Sequence, residues 1–508
     1  TSPGCYVHRM TTVKDEIVEI VAGGSHTCVL LTDRQIKCWG SGAYGQLGNG
    51  MTSNVGTRLE SLENLRRVQL GTGRNVTKIS LGGRHTCVIL DRGDLKCFGW
   101  NYYGQLGLED TINRGDDKEQ RMGDALPILD LGTGRTAIEV AAGSSHTCVL
   151  LDDHSVKCFG QNNYGQLGLG DTDNRGGRVH TMGDALPNVP FGRHGKPIDV
   201  VAGAYHTCVL LAPSACFEQP CAMPNKVVCF GLGKYGLLGL GATMNIGDHP
   251  QELGDHLRPV KIGTNESVAN ISTGSYHTCV ILLSRRIKCW GRNDKGQLGT
   301  GSLGSIGDRP GEMGDTLAFA ALGKNRSVLD LTLGEYFTCV LLDIGDVKCF
   351  GDNQYGQLGY GDKKTRGDKQ STVGDRLHRV RFQDSANKSV LSMTAGDSFC
   401  CALFNDFTAE CWGRNDYGQL GLGDIVSHNS PVKVSWIGRN KGQRIVQVDD
   451  TPMTHARAPL LDASPTHLLL IVALLGIASA ALCVYCKYFG PRKRMATVPL
   501  ETVVTDSS

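Results

Sequence analysis

One pattern recurs along almost the whole 508-residue chain, and only a fold that repeats with it can accommodate the sequence. Its cleanest copy runs from Val140 to Asp171, VAAGSSHTCVLLDDHSVKCFGQNNYGQLGLGD. The cysteines within it return seven times, as Cys28/Cys38, Cys87/Cys97, Cys148/Cys158, Cys208/Cys229, Cys279/Cys289, Cys339/Cys349 and Cys401/Cys411. Successive copies begin about 60 residues apart, with one longer step after the fourth. A fixed period of this size marks a repeat architecture built from one supersecondary unit per copy.

Within a copy, HTCVLL and VKCFG are short, apolar and rich in β-formers, with turn residues between them. They predict two antiparallel strands joined by a tight loop. If Cys87 faces Cys97, the loop is Asp91-Arg92-Gly93; if Cys339 faces Cys349, it is Asp343-Ile344-Gly345. Gly stands third in both, where a three-residue hairpin loop takes a left-handed residue. Turn chemistry and cysteine pairing thus select the same register. Opposed residues lie about 4.5–5.5 Å apart between Cα atoms, within reach of a disulfide, so each copy is expected to carry its own cross-strand bond. Buried free thiols are the alternative, and zinc lacks its usual ligand spacing here. In the fourth copy Cys216 and Cys221 share one centre with Cys208 and Cys229. This predicts an elongated hairpin with two staples, ending in an irregular finger, Ala212 to Lys226, that Pro213, Pro220 and Pro224 interrupt.

The order of GSxHT, hairpin, aromatic-Gly and YGQLGLGD resembles the repeat of the regulator of chromosome condensation family. The resemblance covers roughly Asp15 to Asp450. Its marks are Tyr44–Gly48, Tyr103–Gly107, Tyr164–Gly168, Tyr235–Gly239, Lys295–Gly299, Tyr355–Gly359 and Tyr417–Gly421, with Leu237 replacing Gln in the fourth and Lys295 replacing Tyr in the fifth. It implies an all-β fold, a seven-bladed β-propeller, here with cross-strand disulfides. Repetition alone would also allow a solenoid, but seven copies suit a closed ring. In a closed ring the ends are neighbours, so a Cys5–Cys400 bond is expected to tie them. Glu16–Ile20 and Arg444–Val448 compete for the first strand of blade one, and Val432–Ile437 is a further closing strand.

Twenty cysteines, mostly in regular pairs, point to an oxidising compartment. A formal net charge of +2 gives no argument for a nucleic-acid partner. The chain opens Thr1-Ser2-Pro3-Gly4-Cys5 without an initiator Met, as a chain with its leader removed or a fragment would.

Candidate chemistry is sparse. His26, His85, His146, His206 and His277 hold one repeat position, which Phe337 and Phe399 take in the last two blades. A residue exchangeable with Phe reads as packing. Asp124, Asp184, Asp255, Asp315 and Asp375 recur after Gly and read as turn caps. Asp171, Asp173 and Asn174 do not complete a calcium loop. Two Arg-Gly-Asp tripeptides, Arg114–Asp116 and Arg366–Asp368, fall at a repeated loop position. No catalytic grouping stands out once repeat positions are set aside, so the chain is expected to be a non-enzyme without metal or cofactor. Sequons occur at Asn75, Asn265, Asn270, Asn325 and Asn387, and Asn75, Asn265, Asn325 and Asn387 fall on nearly one edge of blades two, five, six and seven. Glycans there would leave blades three and four bare, which places the partner surface on the blade-four finger, at Phe217, Glu218 and Gln219.

After the propeller (1–450) come a polar stalk (451–467), an apolar span (468–489) and a short tail (490–508). Leu468 to Cys486 carries no charge and nearly matches a hydrocarbon core of about 30 Å. Lys487, Arg492, Lys493 and Arg494 follow it and place the tail in the cytosol, where Cys483 and Cys486 become candidates for palmitoylation. The expected protein is a single-pass type I membrane protein, at the cell surface or in the secretory lumen. Its propeller would bind an extracellular protein or glycan. An extracellular lyase or hydrolase and a surface scaffold are the other readings. The family's namesake exchanges nucleotide on a small GTPase in the nucleus; an outward-facing propeller would not meet that partner.

Overall fold

The computed structural model describes residues 16–117, 122–215, 223–383 and 388–435. Cys5, Cys216, Phe217, Glu218, Gln219, Cys221, Asn387, Arg444–Val448, and the stalk, span and tail lie outside them. Among the described residues no helix is long and apolar enough to cross a membrane.

The described strands form seven antiparallel sheets. In blade one the order is Ile17–Ala22, His26–Leu31, Ile36–Gly40. The second and third strands are buried at every residue. They do not alternate because each sheet is covered on both sides by neighbouring blades, which demands continuous apolar runs.

Every blade carries its cross-strand disulfide. Cys28 is bonded to Cys38, Cys87 to Cys97, Cys148 to Cys158 and Cys208 to Cys229. Cys279 is bonded to Cys289, Cys339 to Cys349 and Cys401 to Cys411. The two cysteines of each pair are direct partners in the strand register. The Cα–Cα distance is 4.1 Å in all seven bonds, shorter than the expected span. The hydrogen-bond pattern gives the reason. Leu90 N donates to Asp94 O across the loop mouth, so hydrogen-bonded pairs alternate from there. Cys87/Cys97 falls on a non-hydrogen-bonded pair, where strands approach most closely.

The loop lengths hold, but the left-handed third residue is not reserved for Gly. Arg34, His154, Arg285 and Phe407 adopt φ of +59° to +66° there. The conformation turns the third residue's carbonyl toward the next blade: Val76 N donates to Arg34 O (2.9 Å) and Val328 N to Arg285 O (2.8 Å).

The first strand of each blade is innermost. Ile17–Ala22 fills that place in blade one, which settles the competition with Arg444–Val448. The fourth, outermost strand is reduced to isolated bridges in blades one to six, such as Gly40 to Val55; blade five has two, Gly291 to Ile306 and Lys288 to Phe319. In blade seven it lengthens to His428–Lys433, which pairs with Ala409–Gly413. The closing strand expected at Val432–Ile437 is this outer strand, shifted toward the N-terminus.

The ring closes between blades seven and one. Ala22 N donates to Thr394 Oγ1 (2.9 Å), and Thr27 Oγ1 and Trp39 Nε1 donate to Gln419 O (2.8 and 3.0 Å). Around the axis the Gly-rich turns hand one backbone bond from blade to blade: Gly24 N to Gly82 O, Gly83 N to Gly143 O, Ser144 N to Gly203 O, Glu335 N to Asp397 O and Asp397 N to Gly24 O. A Cβ on Gly82 would stand 2.4 Å from Gly143 O, so close approach explains the glycine there.

Strand direction assigns every loop to one of two faces. The inner-strand turns and YGQLG loops share one, here the turn face. The three-residue hairpin loops, the finger root and the blade connectors share the other, the hairpin face.

Candidate functional site

The repeated residues are occupied in holding the scaffold. His26, His85, His146, His206 and His277 are fully buried, each with Nε2 within 2.8–3.0 Å of a threonine hydroxyl in the next blade. Thr86, Thr147, Thr207 and Thr338 each spend their one hydroxyl hydrogen on a carbonyl of Gln46, Gln105, Gln166 or Gln297. The partnering imidazoles therefore donate through Nε2, and full burial keeps them neutral. Burial lowers these histidines from 6.5 to about 3, and His206 to about 4. The packing reading holds, with a hydrogen-bonding role beside it.

The YGQLG mark is a turn lock. Gln46 Oε1 accepts Tyr44 N (2.9 Å), and Gln297 Oε1 accepts Lys295 N (2.9 Å). Only the backbone of the first residue is used, so Lys295 substitutes freely. Blade four, with Leu237, instead forms a turn with Tyr235 at φ +63°.

The Gly-Asp marks do cap backbone, but at a distance. Asp124 takes Thr72 N and Oγ1, Asp184 Thr133, and Asp315 Thr264, each from the preceding connector. Asp171 is consumed by Arg175, Asn162 and Asp173 N. In the Arg-Gly-Asp tripeptides, Arg114 and Arg366 are ion-paired to Asp110 and Asp362, with side chains only 11% and 16% exposed. Neither arginine is presented for recognition.

The hairpin face carries Asn75, Asn265 and Asn325, all exposed, while Asn270 is half-buried on the innermost strand of blade five. Blade four carries no sequon of its own, but its finger root touches the sequon of blade five. At the finger root, Asn225 N donates to Ser267 Oγ (3.2 Å) and the Asn225 side chain to Val268 O (3.0 Å). Ser267 belongs to the Asn265 sequon, so finger and sequon meet in one contact.

The turn face is different, because its residues break the repeat. After the Gly turn stand Ser25, Arg84, Ser145, Tyr205, Tyr276, Tyr336 and Ser398; after the third strand stand Ser41, Trp100, Gln161, Leu232, Arg292, Asp352 and Arg414. Ring closure assembles these single departures into an aromatic and arginine rim. Tyr164, Tyr205, Tyr276 and Tyr336 run across blades three to six with centroids 5.5–6.3 Å apart. The Arg292 guanidinium lies 4.8 Å from the Tyr235 ring and 4.9 Å from Tyr336. A second group gathers Tyr44, Trp100, Tyr102 and Tyr103, with Arg84 5.1 Å from Tyr44 and 5.3 Å from Trp100. Tyr102 is 65% exposed. Arg414 lies 5.0 Å from Tyr355.

Two acids complete the rim. Glu335 and Asp397 replace the small residues Gly24, Gly83, Ser144, Ala204 and Ser275 of the other blades. Asp397 is exposed by area, but it opens into the axial channel among protein atoms. Lost solvation, then the Glu335 charge, push its carboxyl up to about 6. Burial also raises Glu335, and burial with the Glu335 charge raises the Tyr336 hydroxyl. The channel itself encloses about 80 Å³, against roughly 300–1,000 Å³ for small-molecule sites. It can hold water, and the rim is what it offers to a partner.

Sequence reasoning missed this rim. The signal was present in the positions where adjacent letters repeat and one does not.

Family models described as "Regulator of chromosome condensation (RCC1) repeat" match residues 17–46, 76–105, 137–166, 268–297 and 328–357, and residues 38–89, 92–150, 153–210 and 411–449. The chain is 26% identical over 508 residues to the ultraviolet-B receptor UVR8 of Arabidopsis thaliana, covering 98% of this chain and 94% of the relative. It is 29% identical to the E3 ubiquitin-protein ligase HERC2 of Mus musculus over 57% of this chain but 5% of that protein. The match to the serine/threonine-protein kinase Nek9 of Xenopus laevis covers 33% of that protein. Among solved structures, human WBSCR16 aligns with TM-score 0.57 and 20% identity over 79% of this chain and 94% of that one. Prp20p from Saccharomyces cerevisiae, described with its binding to Gsp1p and histones, aligns with TM-score 0.57 and 18% identity over 83% and 87%. These structural likenesses speak for the fold. The exclusion of a small-GTPase partner is not borne out by them.

Proposed function

Because the chain belongs to the regulator of chromosome condensation repeat family, we propose that it is a protein-binding propeller whose turn-face rim is the contact surface. The observation that carries this is the concentration of Tyr, Trp and Arg at the positions that vary within an otherwise regular repeat. These residue types dominate binding energy at protein interfaces, and nothing in the scaffold requires them there. The described sequons lie on or toward the other face, so the rim stays open if they are glycosylated.

The compartment reading is retained as part of the proposal: a type I membrane protein, spanning at 468–489, with the propeller outside the cytosol. Seven buried disulfides support it, since such bonds persist in oxidising compartments. A partner is then an extracellular or lumenal protein, or a glycan on one. The Glu335–Asp397 pair favours an extracellular hydrolase or lyase as a second reading, because acids of raised pKa at a propeller mouth suit general-acid chemistry.

The test is affinity capture from cell-surface and medium fractions by wild type and two variants. One carries Trp100→Ala, Arg292→Ala and Tyr336→Ala; the other carries Phe217→Ala, Glu218→Ala and Gln219→Ala. A specific partner lost only with the rim variant supports the proposal. A partner lost only with the finger variant returns the binding surface to blade four. Turnover of a substrate abolished by Glu335→Gln and Asp397→Asn would favour the enzyme.

A further inference from the structure

We propose a second binding site, independent of the rim: an anion-binding pocket on the hairpin face between blades five and six. A cavity of about 350 Å³ opens there, lined by Arg286, Ile287, Phe319, Lys324, Arg326 and Asp375 among others. Its volume falls within the range of small-molecule sites. Its floor is apolar, and three cations stand around it.

The other blade junctions show why this one is open. Arg74 and Arg135 hold the place of Arg326 in blades two and three. Arg74 is ion-paired to Asp91 and Asp94, and Arg135 to Asp152 and Asp153. In blade six Asp346 holds the place of Asp94 and is taken by Arg379 at 3.0 Å, while Asp343, in the place of Asp91, makes no ion pair with Arg326 among the described residues. Arg326 is left to line the cavity. Gln35 holds the place of Arg286 in blade one and bridges to the next connector through its side-chain amide, to Arg74 O. Arg286 instead folds back over the Phe319 ring, 3.1 Å from its centroid. The gap that the Gln35 amide closes in blade one remains open here.

The charges in the cavity are uncompensated. Arg286, Lys324 and Arg326 are exposed, and none is ion-paired among the described residues. Asp375, the one acid in the lining, accepts from Lys324 N at 3.1 Å. Lys288 and Lys348 below donate to carbonyls of Ile262, Gly314, Leu322 and Gly374 and add positive charge. Two guanidinium forks and an ammonium converging on an apolar-floored cavity fit an oxyanion, a carboxylate or sulfate borne by a small solute or by an acidic sugar.

Asn325 lies between Lys324 and Arg326, so a glycan there would cover the mouth. The experiment therefore uses full-length protein carrying Asn325→Gln. Citrate, inorganic sulfate and a sulfated disaccharide are titrated at low salt by calorimetry. The expected result is saturable binding of at least one probe, weakened about tenfold by Arg286→Gln and again by Arg326→Gln. Arg193→Gln, on the same face but outside the cavity, should leave affinity unchanged. Preference for the disaccharide over citrate and sulfate would identify a sugar as the source of the anion. Absence of saturable binding, or equal affinity in the Arg286→Gln, Arg326→Gln double variant, overturns the proposal. All three side chains are exposed, so circular dichroism should find each variant folded.

Discussion

Cys400 stands where every other blade has threonine. In blades two to six that threonine receives the histidine of the preceding blade; the residue preceding Cys400 in this sense is Phe337, and the two share one apolar cluster. Phe without a donor faces a thiol without need of one, and Cys400 is a buried free thiol among the described residues. Its expected partner Cys5 lies outside them. Phe337→His should then cost about 1–3 kcal/mol by burying an imidazole N–H against sulfur. Adding Cys400→Thr should recover most of that loss in urea denaturation. Simple additivity of the two changes would contradict the pairing. A second substitution tests the loops. Arg34 is held at φ +61° and is exposed, so Arg34→Gly relieves left-handed strain and loses little burial. It should stabilise by about 0.5–1 kcal/mol, read from the same denaturation curves.

The hairpin is the element that the sequence specifies most fully. Loop chemistry, strand composition and cysteine spacing are all local, so the register of Cys87 with Cys97 was legible from ten residues. The same spacing carried the pairs Cys28–Cys38, Cys148–Cys158, Cys279–Cys289 and Cys401–Cys411, although their loops lack the third-position Gly. The outer strand is harder to place: in blades one to six it is reduced to isolated bridges, leaving no run of β-formers to read. The rim was illegible for a different reason. Arg84, Arg292 and Tyr336 are single letters in three separate blades, and only closure of the ring makes them neighbours. The finger drew attention because its staples were visible, while the contact of its root with Ser267 depends on the packing of blade five against blade four. Each staple also has a measurable worth. Cys87→Ala with Cys97→Ala should cost about 2–4 kcal/mol, and the variant should keep its β-sheet circular dichroism at room temperature while melting earlier. An unchanged melting temperature would mean the bond adds nothing to the blade.

At the scale of the whole ring, five neutral histidines make the molecule acid-sensitive. Each has a folded pKa of about 3 or 4 against about 6.5 when unfolded. Between those values the unfolded chain binds more protons. Stability is therefore complete above about pH 6.5 and falls as pH drops, by up to about 1.4 kcal/mol per pH unit for each histidine. Urea midpoints measured at about pH 7.5, 6 and 5 should decline steeply below about 6.5; a flat profile would mean the imidazoles can be charged in place. Asp397 shifts the opposite way, becoming neutral below about 6, so the charge of the rim changes over part of the same interval. All of this presumes that the blades are pinned by sulfur bonds where the protein works, and that presumption carries the choice of partner as well. Differential alkylation of intact cells, followed by peptide mapping, tests it directly. The account predicts that the paired blade cysteines, from Cys28 and Cys38 to Cys401 and Cys411, resist the first, non-reducing alkylation and react only after reduction. Labelling of those cysteines before reduction would contradict it, and would return a cytosolic or nuclear partner, a small GTPase among them, to the front.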